Sequence, residues 1–412
     1  MGKTFRPLCA ALMLAGLATG TAHAQWLPEL KLSGFGTLGA VHSDEENADF
    51  VGTIFQPNGA GFTRRTAITP DSKLGVQVDA IFNDRFSAVL QVVSQHRHDN
   101  SFKPQVEWAN LKFQATPDLS VRAGRIAAPT FLYSDTRMVG YTQPWVRPPI
   151  EVYGVLPITS NDGLDVSYRK QFGSTTHTLQ AYWGRSKARL RTGEVESAPG
   201  WGINDTMQWN DWTFRAGYTA NEIDLGLPTI RALVGGFNAF SAVPGPIGAQ
   251  AATLAQRYRT NDLQLSAFSL SASYDPGKWF VMSEFVQFRG EGILADSRSW
   301  YVAGGYRFGT LTPYAVHART RSDVAAEPGL PVPAAAALNA GINAALNSQF
   351  NGSQATTSVG LRWDAMKNTA LKVQFDHTSL GSGSAGRYAN VRPAFQRGGS
   401  VNMFSVALDF VF

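Results

Sequence analysis

Along most of the chain, apolar and polar residues alternate in segments of about ten residues, the length of a membrane-spanning β-strand. Residues 212–220 are an example: Trp212, Phe214 and Tyr218 lie on one parity, whereas Arg215 lies on the other. Successive side chains of a strand point to opposite faces of its sheet. The pattern therefore predicts strands with one apolar face and one polar face.

Sixteen such segments follow one another, separated alternately by short turns and longer connections. They cover residues 31–41, 73–82, 86–94, 106–115, 119–126, 163–172, 176–185, 202–209, 212–220, 263–274, 278–289, 299–308, 311–319, 356–364, 369–378 and 400–412. Because no sheet edge can face lipid, the last segment is expected to pair with the first. The fold class predicted is all-β, an antiparallel transmembrane barrel with short turns at one end and long loops at the other.

One segment departs from this pattern. In residues 278–289, Glu284 shares the parity of Phe280, Met282 and Phe288. If that parity faced lipid, a carboxylate there would be destabilising. A β-bulge or a contact between monomers would explain it.

Composition supports a membrane barrel. Of the 412 residues, 44% are hydrophobic and 16% are charged, whereas soluble proteins carry about 25% charged residues. Beyond the N-terminal segment the sequence has no apolar run of about 20 residues, so membrane-spanning helices are not expected. Residues 247–256 and 334–347 are predicted to form short helices in long loops. A soluble β-sandwich is disfavoured because its outer apolar face would have nothing to pack against.

The N-terminus has the parts of an export signal. Basic residues come first, residues 8–18 are apolar, and Ala22 and Ala24 form a small-residue cleavage site. Residues 1–24 are predicted to be a cleaved signal peptide, and this segment holds the only cysteine. Residues 25–412 are then one exported barrel domain without disulfides. A net charge of +5 gives no indication of nucleic-acid binding.

The export signal, the C-terminal Phe412 on an alternating strand and the long connection after the fifth segment all resemble the sixteen-stranded porins of Gram-negative outer membranes. The resemblance implies a homotrimer in outer-membrane lipid, with Phe412 read by the assembly machinery. It also implies that the connection 127–162 folds into the lumen as a constriction loop. Residues 141–153 lack the acidic signature of general porins, so the transported solute stays open.

A porin of this kind would let small hydrophilic solutes and ions diffuse passively, and charges in the lumen would bias the sign of the ions. Eight bases lie on the parity expected to face inward: Lys112, Arg122, Arg169, Arg215, Arg307, Arg319, Arg362 and Lys372. Five acids also lie on the parity expected to face inward: Asp79, Asp165, Asp364, Asp376 and Asp409. The excess of bases predicts a weak preference for anions.

Seven charged residues are candidates for the constriction, three on the flanking strands and four in the loop: Arg122, Arg125, Arg169, Asp135, Arg137, Arg147 and Glu151. Three aromatic residues of the loop, Tyr141, Trp145 and Tyr153, would suit a track for sugars or aromatic acids. Arg147 would then bind a carboxylate in a bidentate manner. The alternative is that these residues pack the loop against the barrel wall.

Other functions stay open at this stage. The runner-up is a solute-specific channel for small organic acids or sugars, and an adhesin barrel would bind through its long loops. An outer-membrane enzyme would need a nucleophile, a base and an orienting group in contact, but only His317 and His377 lie securely within predicted strands, and no nucleophile motif accompanies them. No cofactor is expected. The close spacing of His96, His98 and Asp99 is a weak indication of a metal site.

Overall fold

The computed structural model describes residues 28–154 and 158–412, so the predicted signal peptide lies outside the described residues. The described chain forms an antiparallel sheet that closes on itself. Its wall consists of sixteen long strands, as the alternation predicts. In chain order they are β1 (Glu29–Ser43), β2 (Lys73–Ile81), β3 (Phe86–Gln95), β4 (Gln105–Gln114), β5 (Leu119–Ala127), β6 (Ser160–Phe172), β7 (Thr175–Arg185), β8 (Gly200–Trp209), β9 (Trp212–Gly226), β10 (Leu263–Tyr274), β11 (Trp279–Gly290), β12 (Asp296–Tyr306), β13 (Leu311–Asp323), β14 (Gln354–Met366), β15 (Thr369–Leu380) and β16 (Ser400–Val411).

The first and last strands close the barrel. β1 pairs with β16 from Phe35 opposite Val411 to Ser43 opposite Met403, and its other edge pairs with β2. Phe412 continues this pairing, because its backbone N–H donates to the Gly34 carbonyl at 3.0 Å. The predicted closure is confirmed, and the sixteen strands leave no edge exposed to lipid.

Short additional strands lie in two of the long loops. The first loop contains Asp49–Phe50, Ala60–Gly61 and Thr66–Ala67. A hairpin of Lys187–Leu190 and Gly193–Ser197 lies between β7 and β8. This hairpin pairs with the upper part of β9, which is why β9 continues beyond its predicted end at residue 220.

The outer surface of the barrel is apolar and carries aromatic residues near the short turns. The rings of Trp212 and Tyr274 are 4.6 Å apart, and those of Tyr274 and Trp279 are 5.2 Å apart. Tyr306 and Phe308 form another such pair at 4.4 Å. Aromatic girdles of this kind mark the membrane interface of an outer-membrane barrel.

The helices lie in loops. They are α1 (Ile150–Tyr153), α2 (Pro228–Ser241), α3 (Pro246–Arg257) and α4 (Ala336–Ala345), with 3₁₀ turns at Gly140–Thr142 and Pro333–Ala335 and a π turn at Leu346–Phe350. The two predicted loop helices correspond to α3 and α4. None of the helices in the described residues is long and apolar enough to cross a membrane.

Helix α2 was not predicted, although its sequence carries a signal. Pro228 occupies the first turn, where proline is favoured, and Ile230 and Phe237 recur at helical spacing. Both side chains are fully buried against Leu254 of α3 and Ile342 of α4. Two long loops thus share one apolar core at the outer end of the barrel.

Candidate pore and constriction

The loop between β5 and β6 lies inside the barrel. The backbone N–H of Leu132 donates to Glu284 Oε2 of β11 at 2.6 Å, and that of Val146 donates to Gln374 Oε1 of β15 at 3.1 Å. Both acceptors belong to side chains that face the lumen. Only residues 155–157 of this loop lie outside the described chain. The loop therefore crosses the lumen along one side, as the resemblance implied.

We call the inward faces of β10–β16 and β1 the covered wall, because the loop packs on them. Phe131, Trp145 and Tyr153 of the loop are at most 3% exposed and belong to one apolar cluster with wall residues such as Phe280 and Tyr301. The rings of Trp145 and Tyr301 meet edge to face at 5.9 Å. This part of the lumen is a packed core rather than a water-filled space.

The same packing explains why Glu284 shares the parity of apolar residues on its strand. The β-bulge and the contact between monomers that the sequence suggested are both wrong. The pairing of β11 with β10 and β12 runs without a bulge, and Glu284 is fully buried on the inward face together with Phe280 and Phe288. Ser271 Oγ donates to its Oε2 at 2.8 Å. The apolar parity of β11 thus faces the loop rather than lipid.

Arg147 is the most heavily bonded anchor of the loop. Its guanidinium donates to Asp71 at 2.7 and 2.8 Å, to Asp376 at 2.9 Å and to Ser405 at 2.6 Å. Burial alone would lower the pKa of Arg147, but Asp71 and then Asp376 raise it above the ordinary value. The side chain is already paired with two carboxylates, so the predicted role in binding a solute carboxylate is wrong.

A second anchor joins the covered wall to the start of the 3₁₀ turn. Lys372 Nζ lies 2.7 Å from Asp409 Oδ2 and donates to the carbonyls of Gly140 and Trp145 at 2.7 and 3.0 Å. Both side chains are fully buried. Arg362 lies nearby and donates to the carbonyl of Tyr141 at 2.7 Å. Lys372 and Arg362 face inward as predicted, but they hold the loop.

Two further charged residues of the loop are buried where the loop packs inside the barrel. Glu151 is 1% exposed and accepts a hydrogen bond from Gln354 at 2.6 Å. Arg137 donates to the carbonyl of Tyr153 at 3.1 Å, and burial lowers its pKa. Neither residue borders an open passage, so their assignment to the pore constriction is corrected. They shape the loop instead.

The inward faces of β2–β8, which we call the open wall, keep their polar character. Arg122 and Asp165 face inward here and form a bidentate pair, in which Arg122 Nε lies 3.0 Å from Asp165 Oδ1. Lys112 faces inward beside Arg122 on the neighbouring strand. Across from this wall, Asp135 is exposed on the loop and acts electrostatically on Arg122. These residues border the passage that the loop leaves free.

Arg215 lies on β9, where the two walls meet. It donates to Thr206 Oγ1 at 2.9 Å and to the carbonyl of Pro129, at the start of the loop, at 2.6 Å. Asp135 acts electrostatically on this guanidinium as well. Arg122, Asp135 and Arg215 are thus the predicted site residues that the structure brings together.

Four charged residues predicted for the lumen lie away from the group formed by Arg122, Asp135 and Arg215. Arg125 pairs with Asp162 at 2.6 Å on the outer face of the barrel. Arg319 is also on the outer face, because the inward positions of β13 are the buried residues that pack under the loop. Arg169 faces inward but lies near the turn after β6, and Arg307 pairs with Asp275 in a short turn at 2.6 Å. The inward parity predicted for Arg319 was wrong, and Arg125, predicted at the constriction, lies on the outer face instead.

Sequence reasoning also missed two inward charges. Lys73, the first residue of β2, shares the inward face with Asp79. Its parity is the same as that of Asp79, so the alternation does place it on the inward face. Glu107 is the extra residue of a bulge in β4 and is 6% exposed. Nothing in the alternation marks a bulge in advance.

The aromatic track and the metal site are not supported by the geometry. Trp145 and Tyr153 are buried in the covered wall, and Tyr141 carries the guanidinium of Arg362 at 4.9 Å from its ring. The packing alternative is therefore correct. His96 bonds Asn100 at 2.8 Å. In the described chain, no three histidine, cysteine or acidic residues come together in a way that could hold a metal ion.

A sequence model of the Gram-negative porins matches residues 9–385 of the chain. The match spans most of the sequence, and the chain therefore belongs to the Gram-negative porin family. Family and fold together place the barrel in the bacterial outer membrane. A comparison with curated protein sequences finds no match.

Similar solved structures are outer-membrane proteins. The channel DcaP of Acinetobacter baumannii has a TM-score of 0.55 at 12% identity, over 97% of this chain and 100% of that one. OmpF of Salmonella typhi, in complex with daunomycin, has a TM-score of 0.54 at 11% identity, over 95% and 99%. The trimer form of OmpT of Vibrio cholerae has a TM-score of 0.51 at 14% identity, over 93% and 99%. These likenesses show the fold alone.

Proposed function

We propose that this porin lets small hydrophilic solutes and ions diffuse passively along the open wall, with a weak preference for anions. The observation that carries the proposal is the asymmetry of the lumen. Buried ion pairs at Arg147 and Lys372 hold the loop against one wall, while Lys112 and Arg122 of the other wall stay partly exposed. Such a lumen is typical of a channel that is narrowed on one side.

The proposed anion preference rests on the charges that have no partner. Among the described residues, four inward bases form no salt bridge with an acid: Lys73, Lys112, Arg169 and Arg215. Three acids that lie outside the packing of the loop also form none: Asp79, Glu107 and Asp135. Glu151 and Glu284 form none either, but they are buried between the loop and the covered wall. The predicted excess of eight bases over five acids thus falls to four bases over three acids. A weak preference for anions is the consequence.

Single-channel recording in a planar bilayer tests this function directly. The mature protein should insert in stable conductance steps, and a salt gradient should give a small reversal potential of the sign expected for anions. A folded barrel that inserts without passing current would contradict the proposal. Conductance that saturates with a small organic acid, but not with chloride, would favour the solute-specific channel instead.

Diffusion is also favoured over catalysis by the placement of His317 and His377, the two histidines that the sequence places securely within strands. His317 bonds Thr357 at 2.9 Å, and His377 bonds Asn402 at 2.7 Å, both on the exposed outer face of the barrel. Neither histidine borders the passage. A catalytic base in the lumen would have to be another residue.

We further propose that the mature protein, residues 25–412, assembles as a homotrimer in outer-membrane lipid. The trimer form reported for the structurally similar OmpT of Vibrio cholerae supports this. Phe412 is exposed beside Phe410 at the end of the barrel with the short turns, where the assembly machinery would reach it. Light scattering of the purified mature protein would measure the number of chains, and a monomer would contradict the trimer.

A further inference from the structure

Three polar residues lie close together near the outer end of the open wall, where β3 and β4 meet their connecting loop. Gln91 lies on β3, Arg97 belongs to the connecting loop, and Glu107 is the bulge residue of β4. Neither Arg97 nor Gln91 has entered the account of the passage so far. We call these three residues the outer cluster.

The bulge in β4 places Glu107 beside Gln91. Trp108 is directly opposite Gln91, and Val106 is opposite Val92, so the ladder has no separate partner for Glu107. Only 3% of Gln91 and 6% of Glu107 are exposed. Bulges are frequent beside functional sites, because the extra residue changes the direction of a side chain.

Each member of the outer cluster has a buried polar atom that finds no hydrogen-bond partner within the described chain. These atoms are Oε1 of Gln91, Oε1 of Glu107, and both Nε and Nη2 of Arg97. Gln91 uses its Nε2 to donate to Gln77 at 2.8 Å, which leaves its side-chain oxygen as an acceptor. The edge formed by Nε and Nη2 is one with which a guanidinium binds a carboxylate through two parallel hydrogen bonds.

Arg97 and Glu107 influence each other without forming a pair. Burial lowers the pKa of Arg97, and Glu107 is the acid that opposes this shift most. Asp99, the other acid that acts on Arg97, accepts a hydrogen bond from Ser101 at 2.6 Å and pairs with Lys103. Buried polar atoms are normally hydrogen-bonded, so the unpaired acid and base call for a ligand that bonds to both.

The outer cluster faces the passage. Gln91 shares the inward face of β3 with Val89, and Glu107 acts electrostatically on Arg137 of the constriction loop. Arg97 lies beyond the outer ends of the strands that carry the charges counted for the passage. A solute that enters from the outside therefore meets the cluster before it reaches Arg122.

We propose that the outer cluster binds small zwitterions, such as free α-amino acids, on their way through the pore. The carboxylate of the ligand bonds to Nε and Nη2 of Arg97, and its ammonium group bonds to Oε1 of Glu107 and Oε1 of Gln91. A simple anion would be repelled by Glu107 and a simple cation by Arg97, so charge complementarity favours a zwitterion. This site rests on the proposed function, because its ligand arrives through the passage.

The test measures how L-glutamine affects the single-channel current of the full mature protein. L-Glutamine should reduce the current in a saturable manner. Its analogue without the α-amino group and its analogue without the carboxylate should each need a concentration about ten-fold higher, because each loses charge-assisted hydrogen bonds.

Variants of the outer cluster then assign the site. E107Q and R97Q should each raise the half-blocking concentration of L-glutamine about ten-fold. R97K should raise it as well, because lysine keeps the charge but lacks the two-pronged edge. K112Q is the matched control, since it removes an inward base of the same wall outside the cluster. It should shift the reversal potential and keep the half-blocking concentration.

Several results would overturn the binding site. Stable current that L-glutamine does not reduce would remove it and leave the proposed diffusion intact. Equal block by L-glutamine and by the analogue without the α-amino group would show that Glu107 takes no part. Unchanged block in both E107Q and R97Q would place the site elsewhere.

A channel without current would contradict the proposed function, and calorimetric titration of the folded protein with L-glutamine would then decide the binding site separately. Binding that R97Q weakens would support the outer cluster. Absence of binding, or equal binding by R97Q, would overturn it.

Discussion

The covered wall and the open wall of one barrel follow the same strand geometry but bury their residues differently. In β13, every inward side chain from Thr312 to Thr320 is buried and every outward one is exposed. In β4, inward residues such as Asn110 and Lys112 keep partial contact with water. The difference comes from the loop, which turns one half of the lumen into a core.

This contrast shows when alternation can be interpreted as lipid outside and water inside. The interpretation is correct for the open wall, where Lys112, Arg122 and Asp165 face inward. It fails for β11 and β13, because apolar side chains on their inward faces pack against the loop. An apolar parity therefore shows that one face of the strand contacts an apolar surface. That surface can be lipid or protein.

The largest predicted effect comes from Lys372→Met on the covered wall. The substitution leaves Asp409 buried without its partner and removes two hydrogen bonds to the loop, so the barrel should lose about 3–5 kcal/mol of stability. The matched substitution on the open wall, Lys112→Met, should change stability by about 0.5 kcal/mol or less. Both are measured by the temperature at which the folded band disappears on electrophoresis.

A double variant separates the buried charge from general damage. Replacing Lys372 by Met and Asp409 by Leu together should recover much of the lost stability, because no unpaired charge remains. If Lys112→Met destabilised the barrel as strongly as Lys372→Met, the contrast between the walls would be wrong.

Trp145→Ala removes the largest buried side chain of the loop. Truncating a buried aromatic residue leaves a cavity and costs about 3–5 kcal/mol where the surroundings cannot collapse, so a value at the lower end of that range is expected for this loop. Noisier open-channel current should accompany the loss, because the loop would move more freely. Val89→Ala, on the open wall, serves as the control and should leave the current unchanged.

Asp135→Asn tests the electrostatics of the passage. Removing the exposed loop acid that faces Arg122 and Arg215 should raise the permeability ratio of chloride to potassium about two-fold in dilute salt. The change should fade near 1 M salt, where the Debye length is only about 3 Å. An unchanged reversal potential at both concentrations would place Asp135 away from the ion path.

The smallest effect is expected for Arg125→Gln. Because Arg125 pairs with Asp162 on the outer face, conductance and ion selectivity should both stay unchanged. A clear shift in the reversal potential would return this residue to the lumen, where the sequence had placed it.

The number of strands, their approximate bounds and the closing of β1 on β16 were predictable, because period-two alternation and turn residues determine them locally. The role of the loop charges was not. Arg147 and Glu151 become anchors only because Asp71, Asp376 and Gln354, which are distant in sequence, meet them in the lumen. Which charges neutralise one another depends on pairings between the loop and the wall, and alternation does not specify those pairings.

Accessibility of single cysteines tests most directly whether the loop covers one wall and leaves the other open. The only native cysteine is Cys9, within the predicted signal peptide, so the mature chain offers a clean background. Val89→Cys lies on the open wall, and Val316→Cys lies under the loop. A charged methanethiosulfonate reagent should reduce the current through Val89→Cys channels in discrete steps and leave Val316→Cys channels unmodified. Equally rapid modification of both would contradict the account.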